Sequence, residues 1–157
     1  MANLNRIEGD HVMDNAKIGI VASRFNAFVV DRLLDACIKT LKSAGLDGDD
    51  IIIIHVPGAF EIPVAVKRLI MKMDCDAVIA LGAIIRGETP HFEYIARECS
   101  HGLGQIAIEQ DIPVIFGVLT VDNTEQAMDR AGTEESNKGA EAAQAAIEMI
   151  NVMRKIN

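Results

Sequence analysis

Four times along this chain a short run rich in Val and Ile gives way to a polar knot and then to a longer stretch of helical period. The runs are "KIGIVA" at 17–22, "IIIIHV" at 51–56, "AVIALGAII" at 77–85 and "VIFGVL" at 114–119. A strand that is apolar at successive positions must be covered on both faces, and the helices between such runs are the covering layers of a parallel sheet. Val29, Leu33, Cys37 and Leu41 recur every four residues in the first helical stretch, which Gly45 ends. The second stretch runs to Met73 and the third to Gln110, with a buried stripe of Phe92, Ile95, Cys99, Leu103 and Ile106. After the fourth run come a short helix over 123–131, the loop "GTEESNKG" and a final helix that ends near 157, with Ala140, Ala143, Ile147 and Ile150 on its close-packing face. No repeat, linker or shift of composition divides the 157 residues, so one three-layer α/β/α domain over 1–157 is expected. Such a chain buries roughly two thirds of its unfolded surface, enough for a core of its own.

Charge narrows the partners. Fifteen Lys and Arg against 23 Asp and Glu leave a net charge of −8, which disfavours a nucleic-acid groove or an anionic membrane as the main partner. Cys37, Cys75 and Cys99 are odd in number, far apart and without a CxxC pair, so they read as small core hydrophobes in a reducing compartment. The opening "MANLNRIEGDH" has no basic region followed by an apolar one, and no apolar run reaches the length of a membrane span. A soluble, cytoplasmic protein is expected. His55 falls in a strand and His101 in a helix, with no second ligand at metal spacing, so no metal site is expected.

In a parallel sheet every strand-to-helix loop leaves the same end, and ligands bind in the crevice there. That rule gathers Ser23 to Asn26, Ala59 to Glu61 and Arg86 to His91 on one rim. In "RGETPHFEY", 86–94, Thr89 suits an N-cap and Pro90 the first helical position, which puts His91 in the first turn. Free N–H groups at such an end favour phosphate, and they leave a neutral imidazole free to give or take a proton; the plain alternative is a solvent histidine that begins a helix. Phe25 is by position either a core ring or a platform for a flat heterocycle. Glu61 suits the start of a helix dipole. Phe116, inside the fourth run, is expected in the core. Arg130 and Lys138 flank an acidic loop as solvated charges, and Arg130 is the better fork for a phosphate.

Taken together, "ASRFN", "VPGAFEIPVA", "LGAIIRGETPHFEY", "FGVLT" and "RAGTEESNKG" resemble the 6,7-dimethyl-8-ribityllumazine synthase family, in order and at matching spacing over nearly the whole chain. The resemblance implies a flavodoxin-like four-stranded parallel sheet with an extra N-terminal strand. It implies condensation of 5-amino-6-(D-ribitylamino)uracil with 3,4-dihydroxy-2-butanone 4-phosphate, the penultimate step of riboflavin synthesis, without metal or organic cofactor. By the same resemblance Phe25 stacks on the pyrimidine, Ala59, Phe60 and Glu61 contact it and its ribityl chain, and the backbone of Ala83, Ile84 and Ile85 reads its polar edge. Glu88 and Thr89 match positions that bind the butanone phosphate, Arg130 the arginine on its phosphate, Lys138 a lysine beside it, and His91 the proton carrier. Phe116 matches an aromatic that enters from a neighbouring subunit.

Members commonly carry lysine and glycine where this chain has Glu134 and Ser136, so the acidic loop predicts weaker binding of the phosphate substrate. The family forms pentamers with sites between subunits, and in some members twelve pentamers close a sixty-subunit shell that encloses riboflavin synthase. The short "GTEESNKG" loop favours the shell. Residues 1–12 are expected to supply the extra strand to another subunit's sheet. A non-catalytic flavin or lumazine binder would have a damaged His91 or Arg130, and both are intact. A receiver domain would need an acidic cluster at the strand ends, and a flavodoxin-type carrier a Ser/Thr-rich phosphate loop; neither is present.

Overall fold

The computed structural model describes residues 4–157, except the side chain of Glu134. Four parallel strands form one sheet: β1 (Ile18–Ser23), β2 (Ile51–Val56), β3 (Ala77–Ile85) and β4 (Val114–Val121), in the order β2-β1-β3-β4. Between and after them lie α1 (Ala27–Ser43), α2 (Ile62–Met73), α3 (His91–Gln110), α4 (Thr124–Arg130) and α5 (Lys138–Ile156). The four strands and five helices expected from residue 17 onward are all present, with ends shifted by at most a few residues.

Strand periodicity explains the layers. Along β3, Ala77, Ile79, Leu81 and Ala83 face a core shared with α1, α4 and α5, while Val78, Ala80 and Ile84 face a second core shared with α2 and α3. Eight of its nine residues are buried, because helices cover both faces and β1 and β4 cover both edges. The predicted α1 stripe and Ala143, Ile147 and Ile150 of α5 are buried in the first core, and Ala140 is buried as well. Gly139 lets α5 lie directly on α1, since a Cβ there would collide with the Leu33 carbonyl. Gly45, at φ 117°, turns the chain out of α1 as expected.

Cys37, Cys75 and Cys99 are all buried and free. Burial pushes the Cys37 thiol up to about 12 and Cys99 to about 11, and it raises Cys75 as well. Among the described residues no helix is long and apolar enough to cross a membrane.

The segment ahead of β1 forms no strand within the single chain; residues 1–3 lie outside the described residues. A strand needs a neighbouring edge, and here side chains of α5 take the backbone acceptors instead. Asn151 donates to the carbonyls of Asp10 and Val12 at 2.8 and 3.0 Å, and Arg154 to those of Asp14 and Asn15 at 2.8 and 2.9 Å. The first strand of the sheet is therefore β1, which lies inside it between β2 and β3.

Candidate functional site

The strand ends meet as the parallel topology requires. Parallel pairing of β1 with β2 continues past both strands: the Arg24 N–H donates to Val56 O at 2.8 Å and the Phe25 N–H to Pro57 O at 3.0 Å. Phe25 is thereby held beside the 3-10 turn Ala59–Glu61 that precedes α2. Asn26 has φ 63°, a left-handed conformation that Asn tolerates, and its Nδ2 donates to Ala83 O at 2.8 Å. One side chain thus ties the first knot to the end of β3. The Asn26 role escaped the sequence reading, although an Asn where a strand-end loop meets a helix is a known signal for left-handed backbone.

These three loops enclose a cleft of about 680 Å³, lined by Phe25, Pro57 to Glu61, Ala83 to Ile85, Gly87, Thr89, His91, Phe92 and Ile95. That volume is within the range of small-molecule sites. The rim residues expected from the sequence therefore converge. Glu88 is exposed on the loop between Gly87 and Thr89 and does not line the cleft. Pro57, Gly58, Phe92 and Ile95 join the wall without having been assigned to it.

The helix start differs by one residue from the sequence expectation: the first regular residue of α3 is His91, after Pro90 at φ −71° and ψ 5°. Thr89 still caps weakly, its Oγ1 accepting from the His91 N–H at 3.4 Å. The Glu93 N–H bonds back to Pro90 O at 3.0 Å, a tight first turn.

None of the five phenylalanines lies in the buried core, which is built of aliphatic side chains, cysteine and Met13. Phe25 is 70% exposed and Phe60 56%, and both border the cleft. Of the two alternatives for Phe25, the core ring is thus excluded and the platform remains. Phe116 corrects the expectation that it is core: it is 46% exposed, on the edge strand β4.

Phe116 lines a second cleft of about 390 Å³ on that edge, together with the rest of Ile115–Val121 and with Arg130, Lys138, Glu141, Ala142 and Ala145. Arg130, in the last turn of α4, donates to Gln126 O at 3.0 Å, and Lys138 opens α5 with its Nζ 2.8 Å from Glu141 Oε2. Asn137 holds this end together. Its side-chain oxygen accepts from the N–H groups of Gly139 at 2.7 Å and Ala140 at 3.2 Å, and its Nδ2 reaches Gly132 O at 3.3 Å and Arg32 O at 3.4 Å. Asn immediately before a helical stretch is the cap signature that could have singled it out.

Within one chain, then, the thirteen expected site residues divide. No residue lines both clefts, and the rim cleft has no Lys or Arg among its lining residues. Among the described residues no three His, Cys, Asp or Glu side chains are grouped to hold a metal ion. One cleft is aromatic and bears a histidine, and the other is aromatic and cationic. A family model described as 6,7-dimethyl-8-ribityllumazine synthase matches residues 15–154, nearly the whole chain, and the chain belongs to that family of riboflavin biosynthesis.

Proposed function

We propose that the protein condenses 5-amino-6-(D-ribitylamino)uracil with 3,4-dihydroxy-2-butanone 4-phosphate to give 6,7-dimethyl-8-ribityllumazine, phosphate and water. The observation that carries this reading is the division of ring-binding and cationic residues between two clefts of one chain, one of them on a free sheet edge. In this reading a second copy brings its Phe116, Arg130 and Lys138 to the rim cleft and completes the site, within the pentamer that the family resemblance implies.

In the completed site Phe25 and the copy's Phe116 hold the pyrimidine, Glu61 accepts from ribityl hydroxyls, and the backbone of Ala83 to Ile85 meets the ring's polar edge. Phe60 and Ala59 close the wall. The pyrimidine's primary amine attacks the ketone and water leaves to give an imine. Phosphate is then eliminated into the grip of Arg130 and Lys138, with Glu88 and Thr89 at the same end. The enol left by that elimination tautomerises to a new ketone, which the ribitylamino nitrogen attacks, and a second water departs as the ring closes. Each step moves protons, and His91 at the cleft wall carries them. Held side by side, the two reactants need no covalent nucleophile.

The short loop between α4 and α5 favours closure of twelve pentamers into a sixty-subunit shell able to enclose riboflavin synthase; native mass spectrometry that shows only free pentamers refutes this. The buried, unpaired cysteines suit a cytoplasmic setting. The primary test mixes the purified protein with both substrates, without added metal, and follows the fluorescent lumazine. Rates equal to the uncatalysed condensation end the enzymatic reading, and tight lumazine binding without turnover supports a non-catalytic binding shell instead.

A further inference from the structure

The charges that crowd the end of β3 are wired together through one side chain. Arg86 donates from Nε to Asp122 Oδ1 at 3.0 Å, and its Nη1 lies 3.4 Å from Glu93 Oε1. Its Cζ sits 4.4 Å from the centroid of the Phe92 ring, within cation–π range. The backbone joins in, since the Arg86 N–H donates to Val121 O at 2.9 Å. Asp122 is itself fixed, its N–H donating to Gln126 Oε1 at 2.8 Å in α4.

Each of these pairs is half-exposed, and single exposed ion pairs add little stability. Their geometry is the informative part. A planar guanidinium that meets two carboxylates and one ring face at once has a single orientation, which an ammonium cannot reproduce. Two of its three partners, Phe92 and Glu93, are the residues that follow His91 in the first turn of α3, and Phe92 lines the rim cleft beside it. The third, Asp122, lies just beyond the end of β4.

We propose that Arg86 is a positioning residue: braced on Asp122, it holds the first turn of α3 so that His91 and Phe92 keep their places on the cleft wall. This rests on the reading of that cleft as the catalytic site. Arg86 is not among the residues that line the cleft. Its loss displaces the proton carrier while leaving the Phe25, Phe60 and Ala83–Ile85 surfaces, which belong to other elements, intact. The expected signature is a fall in kcat with little change in KM for the pyrimidine.

The test compares wild type with Arg86→Lys, Asp122→Asn and the double variant, by steady-state kinetics and by amide hydrogen exchange of residues 91–94. For either single variant kcat falls about tenfold, short of the roughly hundredfold that a 1 Å misplacement can cause, and KM for the pyrimidine stays within about twofold. The double variant is no slower than the worse single one, because both break one brace. Exchange at 91–94 speeds up while that of β3 does not. Arg86→Lys with wild-type kcat and exchange overturns the proposal, as does a loss that appears in KM alone. If the wild type itself has no turnover, the functional reading falls, and the exchange comparison still decides whether Arg86 holds the turn.

Discussion

Replacing Asn137 with Ala removes a side chain that is 1% exposed and joins four backbone groups at the start of α5. Two of the four are N–H groups of the first turn of α5, on the buried residues Gly139 and Ala140. Loss of an N-cap acceptor costs about 1 kcal/mol. A buried N–H left without a partner adds about 1–2 kcal/mol more. The two carbonyls weigh less, because their bonds from Asn137 are long, at 3.4 and 3.3 Å. The sum is about 2–3 kcal/mol, or roughly 5–10 °C in Tm for a domain of this size. The assay is urea or thermal unfolding at one fixed protein concentration, since self-association shifts apparent stability. Asn137→Ser keeps an acceptor for the helix and should recover about 1 kcal/mol of the loss. A cost for Asn137→Ala below about 0.5 kcal/mol, or a serine variant no better than alanine, refutes the assignment of Asn137 as the clasp of this loop.

Four further outcomes are expected. His91→Ala slows lumazine formation by about 10²-fold without abolishing it, because proximity remains; steady-state fluorescence kinetics measure this. Arg130→Ala raises KM for the butanone phosphate by about tenfold or more and leaves KM for the pyrimidine near wild type, as the lost fork serves only the phosphate. Glu134→Lys lowers KM for the same substrate by adding a cation to an acidic loop, and an unchanged KM counts against the loop's influence. Burial raises the folded-state value of the Cys37 thiol from 9.0 to about 12, so its contribution is fully present below pH 9 and is lost as pH climbs towards 12. Urea unfolding at pH 8 and pH 10.5 should therefore show a decline that is shallower in Cys37→Ala, by about 2 kcal/mol.

Local pattern carried much of the fold. The runs at 51–56 and 77–85 coincide with β2 and β3, and the stripe from Cys99 to Ile106 is buried as its spacing required. The rim site was legible for the same reason: in a parallel sheet, alternation of strand and helix sends every connecting loop of one kind to one end. Phe116 was not legible in its surroundings. A ring in an apolar run reads as core, and the run does not say whether anything covers the outer edge of its strand. Asn26 and Asn137 were visible only as loop polar residues, since what they tie together lies 57 and 105 residues away in sequence. Arg86 stood out as surplus charge, and its partner Asp122 lies 36 residues on, past the whole of α3.

What the sequence by itself determined is therefore the set of elements, their parallel sense and the end at which chemistry gathers, because periodicity and turn chemistry act over a few residues. What only the tertiary structure decided is the order β2-β1-β3-β4 and its consequences. That order leaves β4 on an edge, exposes Phe116, and keeps Arg130 and Lys138 in a cleft apart from His91. Edges, burial and shared clefts depend on which distant segments become neighbours, and that is settled by the packing of whole layers.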